Sequence, residues 1–339
     1  LRGNTTGCRN TAMGFQAGTA VTTGDENTFI GRKAGMGVTT TDNQTAIGSF
    51  ALSAAVTGAS NTAVGKSALA ANTSGASNVA VGATALDANT TASNNVAVGH
   101  GSLSTNITGD ENTALGKSAL NANTTAGGGT AVGFQALNSN TTGVSNVAVG
   151  GNALDANTTE CRNTAVGAGS LGSSIGRGNT ALGYESGKNI VAGGGNLVLG
   201  SVKPDGVYSP PHDTTGSENN RIVLGSTTST NAYIKIDWTV TSDLRDKTNI
   251  ENVPHGLNFI NQITPIKYDF KTSREDETPN GTKKYGFSAQ EILTLEGDNP
   301  IIINNEDTNA LKMTNSHLIP VLVNAIKELT ARVKELEDE

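Results

Sequence analysis

A glycine returns every 17 residues through the first part of this chain: Gly14, Gly31, Gly48, Gly65, Gly82, Gly99, Gly116, Gly133, Gly150 and Gly167. Gly183 and Gly200 continue the series with steps of 16 and 17. A leucine follows in phase at Leu52, Leu69, Leu86, Leu103, Leu120, Leu137, Leu154 and Leu171. The consensus coil reads N-T-A-V-G-x-x-A-L-x-x-N-T-T-G-x-x. A unit this short encloses no core alone, so its coils must stack on one another. Helical repeats are longer, and Gly, Asn and Thr disfavour helix. The pattern therefore predicts a mainly β fold, a parallel β-roll or solenoid with one short strand at each N-T-A-V-G.

Strand alternation puts Val79 and Val81 on one face and Ala80 on the other. The valine pair, with Leu86, is expected to fill the interior. The alanine row is expected to suit an outer surface approached closely by another backbone. The N-T-T-G stretch is expected to turn the chain, because Asn and Gly tolerate left-handed angles and stacked Asn side chains form ladders. Twelve coils at ~4.8 Å each give a rod of roughly 58 Å. So few large residues per coil look too thin for an isolated core, and association of chains is the simplest remedy.

Charge divides the chain. Residues 1–241 hold 12 Lys/Arg and 13 Asp/Glu, whereas residues 242–339 hold 11 and 17. Neither part is basic, which argues against nucleic acid as a partner. No apolar run approaches the ~20 residues of a membrane span, so no membrane insertion is expected. The chain opens inside the repeat pattern with no signal peptide, and so reads as part of a longer protein whose N-terminal attachment region lies elsewhere. Cys8 and Cys161 share one repeat phase nine coils apart, roughly 43 Å, far beyond disulfide reach. They are expected to be free thiols, compatible with assembly in a reducing cytoplasm.

Several signals inside the array are products of the repeat. Gly167-Ala168-Gly169-Ser170-Leu171-Gly172 spells a dinucleotide fingerprint without a strand-turn-helix setting. Gly65-Lys66-Ser67 and Gly116-Lys117-Ser118 resemble a phosphate loop, but Ser60 and Glu111 stand where its first glycine belongs. The N-x-T tripeptides, such as Asn72-Thr73-Ser74, come from the consensus. The acids Asp25, Glu26, Asp42, Asp87, Asp110, Glu111, Asp155 and Glu160 fall mostly at turn phases, which favours solvated turns over the paired carboxylates of a polysaccharide-cleaving rod. No cofactor or metal is expected. The Thr pairs are read as turn chemistry rather than an ice-binding ladder.

The array is expected to occupy residues 1–200, a connector 201–241 and a C-terminal domain 242–339. Pro204, Pro210, Pro211 and His212 interrupt the period as a loop. Arg221–Gly225 reads as a last coil-like strand. Ala232–Val240 alternates as a further strand carrying Trp238, the only tryptophan, expected as a packing residue. Near the end, Ile319, Leu322, Ile326, Leu329, Val333 and Leu336 recur at steps of three and four. They predict a coiled-coil helix over about 315–338, with Pro320 confined to its first turn.

Two resemblances extend this reading. Segments such as Ser77-Asn78-Val79-Ala80-Val81-Gly82 resemble the head repeats of trimeric autotransporter adhesins, which implies a trimeric β-roll. From about Tyr233 onward the chain resembles the intramolecular chaperone auto-processing domain of phage tail spikes, tail fibres and endosialidases. The residues that carry it are Ser242-Asp243-Leu244-Arg245-Asp246-Lys247-Thr248-Asn249-Ile250, against a family pattern S-D-x-R-x-K-x-N-I; Gly256–Phe270; Gly286–Glu291; and Leu318–Leu329. Asp246 departs from the family, which often has an apolar residue there, and puts an acid beside the lysine. The resemblance implies a self-cleaving serine peptidase that acts once: Ser242 as nucleophile, Lys247 as base, and Ser242–Asp243 as the scissile bond. A lysine acts so only once desolvation lowers its pKa, which assembly would supply.

The function so implied is a homotrimeric virion tail fibre or appendage for host attachment, assembled in the host cytoplasm. Its partners would be a host receptor or glycan and other virion tail proteins. A bacterial trimeric surface adhesin is the rival, and a polysaccharide depolymerase spike comes third. The C-terminal domain is expected to set the register that near-identical coils leave open.

Overall fold

A computed structural model describes residues 1–200, 202, 206–210, 216–227, 229, 242–271, 276–309 and 311–338. It divides into two compact units, Leu1–Thr227 and Thr228–Glu339, each taken by itself below. The expected strand at Ala232–Val240 with Trp238, and Pro204, Pro211 and His212, lie outside the described residues.

The first unit is the expected parallel solenoid. Thirteen three-residue strands form one sheet in sequence order, from β1 (Thr11–Met13) through β5 (Val79–Val81) and β6 (Val96–Val98) to β12 (Leu197–Leu199) and β13 (Ile222–Leu224). Each pairs with the same phase of the next coil, as Val79 with Val96 and Ala80 with Ala97. The sheet absorbs the 16-residue step between Thr164 and Thr180 without losing register.

The inward face is the opposite of the one expected. Ala80 is fully buried, and Val79 and Val81 stand half-buried on the outer side. The same holds in neighbouring coils, where Ala63, Ala97 and Ala114 are buried. The reason is the width of the coil. Leu86, Ala85 and two asparagines already fill it, so in these coils the strand centre admits only a methyl. The interior therefore closes within one chain, and a thin core is no reason for chains to associate.

Left-handed backbone also falls elsewhere than expected. The asparagines of N-T-T-G do not adopt it. Leu86 does, at φ 51°, together with Thr84 at 54° and Ser77 at 57°. Such a residue costs about 1–2 kcal/mol. Full burial of a leucine contributes about 1.5–3 kcal/mol, and the Leu86 N–H also reaches Ser102 O at 3.1 Å, so the turn is retained. The repeat glycine is required twice over. Gly82 sits at φ 139°, and a Cβ there would lie 2.4 Å from Gly99 O.

Two asparagine ladders run inside. In one, Asn89 Nδ2 donates to Asn72 Oδ1 at 2.9 Å, and Asn106, Asn123, Asn140 and Asn157 repeat the step. In the other, Asn78 Oδ1 accepts the Asn95 N–H at 3.0 Å while Asn78 Nδ2 donates to Ala92 O. These bonds satisfy polar groups that would be costly to bury alone. Three coils depart from the pattern, with Phe29, Val198 and Val223 in place of the alanine, and at Phe29 the change is compensated. Phe29 takes the alanine position, and Gly18 and Gly35 take the leucine positions beside it. A Cβ on Gly35 would lie 2.2 Å from the Phe29 ring.

The second unit is small and α/β. Helix α1 (Leu257–Ile260) precedes an antiparallel pair, β14 (Ile266–Lys271) and β15 (Pro279–Gly286). Then come α2 (Ala289–Glu296), the short pair β16 (Ile303–Asn304) and β17 (Lys312–Met313), and α3 (Leu318–Glu337). Ser288 Oγ caps α2 by accepting the Glu291 N–H. Phe259, Ile292, Ile302, Ile303, Leu318 and Val321 form the core. Glu328 on α3 accepts the Leu257 N–H at 2.7 Å, and Asn324 donates to His255 O at 2.9 Å. Helix α3 thus docks on its own unit through Leu318, Val321 and Ala325. The heptad row Ile319, Leu322, Ile326, Leu329, Val333 and Leu336 remains exposed on it.

Candidate functional site

Ser242 and Lys247 lie five positions apart, with a single turn of 3-10 helix, Leu244–Asp246, between them. Asp243 caps that turn: its carboxylate accepts the Arg245 N–H at 2.9 Å. The Arg245 side chain closes on the same carboxylate, with Nη2 2.5 Å from Oδ2. These bonds from Arg245, side chain first and backbone second, hold the Asp243 carboxyl below its ordinary range. At the other end, the Lys247 N–H bonds Leu244 O at 3.1 Å, and the chain doubles back.

The turn brings the two predicted residues together. Lys247 Nζ stands 2.9 Å from Ser242 Oγ and 3.2 Å from the Ser242 carbonyl oxygen. One amine thus touches both the hydroxyl and the carbonyl of the bond expected to break. Asp246 makes no ion pair with Lys247 among the described residues. Ser242 and Lys247 are both exposed. The single chain therefore supplies the contact but not the desolvation that a lysine base needs.

Other candidates reduce to structure. A cavity of about 470 Å³ in the second unit is lined by Asn249, Glu251, Asn252, His255, Glu296, His317 and apolar neighbours, but not by the Ser–Lys pair. Three of its lining side chains are in use within the unit: Glu296 accepts the N–H groups of Ile301, Ile302 and Ile303, His317 Nδ1 contacts Ile301 O at 2.8 Å, and His255 stacks on Phe259. No cluster of His, Cys, Asp or Glu fit for a metal occurs among the described residues. Cys8 and Cys161 are free. No helix of the described residues is long and apolar enough to cross a membrane.

In the solenoid, Gly167–Gly172 follows β10 (Thr164–Val166) into a turn, not a helix. The in-phase threonines spend their hydroxyls on the next coil, as Thr73 Oγ1 on Thr90 O at 2.9 Å and Thr141 Oγ1 on Thr158 O at 3.0 Å. Asp87 and Asp155 are held above the ordinary carboxyl range by partial burial, but they sit four coils apart. That is roughly 19 Å, beyond the ~9.5 Å limit for paired glycosidic carboxylates.

Residues 242–295 match the family model described as "Chaperone of endosialidase", a match that begins on Ser242 itself. No curated protein and no solved structure matches the chain. A solenoid of 17-residue coils followed by such a domain fits a tail-spike-like fibre.

Proposed function

We propose that the chain is a homotrimeric virion tail fibre for host attachment, whose C-terminal unit assembles the rod and then releases itself by cutting Ser242–Asp243. The contact of Lys247 Nζ with both Ser242 Oγ and the Ser242 carbonyl supports the cut most directly. The exposed heptad row of α3 supports the oligomer, because a helix already docked on its own unit retains a second apolar face at coiled-coil spacing. Trimer rather than dimer is taken from the adhesin and tail-fibre resemblances. Packing of copies around the Ser–Lys turn supplies the burial that the single chain lacks, so cutting waits for assembly.

Atom balance restricts the step. Attack by Oγ on the carbonyl of its own residue would close a four-membered ring. The attacker is therefore Oγ of a second copy, or a water whose proton Oγ relays to Lys247. The carbonyl carbon gains the new C–O bond and loses its bond to Asp243 N. Lys247 returns the proton to the freed amine, and in the first route a water then hydrolyses the ester.

Intact mass of the freshly purified chain tests the cut. Fragments 1–242 and 243–339 are expected from the parent and a single full-length mass from Ser242→Ala. Identical full-length masses from both sink the proposal. In assemblies mixing parent and Ser242→Ala chains, attack from a second copy also cuts the substituted chains. A water relay leaves them whole.

A further inference from the structure

The Ser–Lys turn holds a second pair that the proposed cut leaves unused. Arg245 engages both oxygens of the Asp243 carboxylate. Its N–H and Nε reach Oδ1 at 2.9 and 3.1 Å, and its Nε and Nη2 reach Oδ2 at 3.1 and 2.5 Å. Capping the turn takes one oxygen, and the backbone N–H alone supplies that bond. The guanidinium covers the other as well. These bonds, side chain first and backbone second, hold the carboxyl below its ordinary range, so near neutrality it is an anion.

That anion adjoins the base. Lys247 Nζ stands 2.9 Å from Ser242 Oγ, and 3.2 Å from the carbonyl oxygen of the peptide bond whose nitrogen belongs to Asp243. A small swing of the lysine would exchange the hydroxyl for the carboxylate. Such a pairing would stop the reaction twice. It takes the amine off Oγ, and it favours the charged ammonium, which accepts no proton. The charged groups of the turn are Asp243, Arg245, Asp246 and Lys247. Among them Asp243 is paired with Arg245, and Lys247 rests on Ser242.

We propose that Arg245 is a positioning residue for the cut: by occupying both oxygens of the Asp243 carboxylate it keeps that charge away from Lys247 and leaves the amine on Ser242. The inference rests on the reading of the chain as self-cleaving. Burial of the turn on assembly increases the need, because in a drier site an unpaired carboxylate is costlier and attracts an amine more strongly. Lysine is a poor substitute at 245, since one ammonium does not match both oxygens as the planar fork does.

Cell-free synthesis of the full chain over a pH series around neutrality tests this. Intact mass gives the cut fraction and a native gel the assembled fraction of the same samples, so cutting is compared per assembled chain. Arg245→Gln is expected to raise the pH of half-maximal cutting by about one unit and to slow cutting about tenfold at pH 7. Arg245→Lys should fall between Arg245→Gln and the parent. The paired Asp243→Asn/Arg245→Gln chain retains a capping oxygen but has no charge to shield, and should recover the parent's pH profile. If the parent assembles and is never cut, the self-cleaving reading falls and this inference with it. If the parent is cut and Arg245→Gln matches its profile, fails to assemble, or is not rescued by Asp243→Asn, only this inference is overturned.

Discussion

The two units solve the folding problem in opposite ways. In the solenoid nearly every long-range tie joins one coil to the next, many of them at the same phase: Ala80 to Ala97, Asn72 to Asn89, Thr73 to Thr90. In the C-terminal unit ties span the sequence, as Glu328 to Leu257 or Asn324 to His255, and no pair resembles another. The first unit has nearest-neighbour stability and weak information about alignment. The second has a unique core of six buried apolar side chains and 28 of the chain's 53 charges fall in 242–339. A stack of near-identical coils can slip by a whole coil and keep most contacts, so correct alignment has to come from the part that does not repeat.

The largest expected effect breaks the glycine column. Gly82→Val puts a branched side chain where even a Cβ meets Gly99 O at 2.4 Å, at a φ that β-branched residues avoid. Loss of at least ~3 kcal/mol is expected in the coils around residue 82, read as a partial loss of β circular dichroism while the α3 helical signal persists. Gly200→Asn is the contrast: φ is 63° and nothing lies within 4 Å, so a change within ~0.5 kcal/mol is expected.

Side-chain truncation sharpens the comparison. Leu86→Ala and Phe259→Ala each empty a buried site and cost about 2–5 kcal/mol locally. In the solenoid the damage should stay within a few coils, seen as hydrogen exchange raised around residues 69–103 alone. In the C-terminal unit Phe259→Ala should raise exchange throughout the unit. A globally melted solenoid from Leu86→Ala would contradict the nearest-neighbour description.

The smallest effect is electrostatic. Partial burial raises the Asp87 carboxyl above its ordinary 3.8, so the folded chain binds this proton more tightly than the unfolded one. Stability from this group is therefore full below the unfolded value and declines as pH rises through the folded one. Asp87→Asn removes that cost. After allowance for the solvent that still reaches the group, a gain of a few tenths of a kcal/mol at pH 7 is expected, vanishing near pH 3 in thermal melts.

The period and the parallel register were legible in the sequence, because both follow from a fixed step of 17, whereas the pairing of Ser242 with Lys247 came only with the family resemblance, since a five-residue spacing by itself is unremarkable. Which face of the strand looks inward was not legible. Alternation distinguishes two faces of Val79-Ala80-Val81 but does not say which is inside, and hydrophobicity points the wrong way. The choice is made by the width that Leu86 leaves, and Leu86 in turn occupies a left-handed conformation that its residue type does not advertise. The exchange of Phe29 against Gly18 and Gly35 is readable only once neighbouring coils are known to touch. The six heptad positions were visible, but their separation from the docking face of Leu318, Val321 and Ala325 needed the packed unit.

The division of labour between the units is tested most directly by making the same rod in two ways. One sample is residues 1–242 expressed alone; the other is residues 1–242 released from the full chain after assembly. Light scattering and thermal unfolding followed by cooling are compared on both. A defined trimer is expected only from the released rod, and once melted it should fail to reform. Two indistinguishable trimers that both refold would contradict the account.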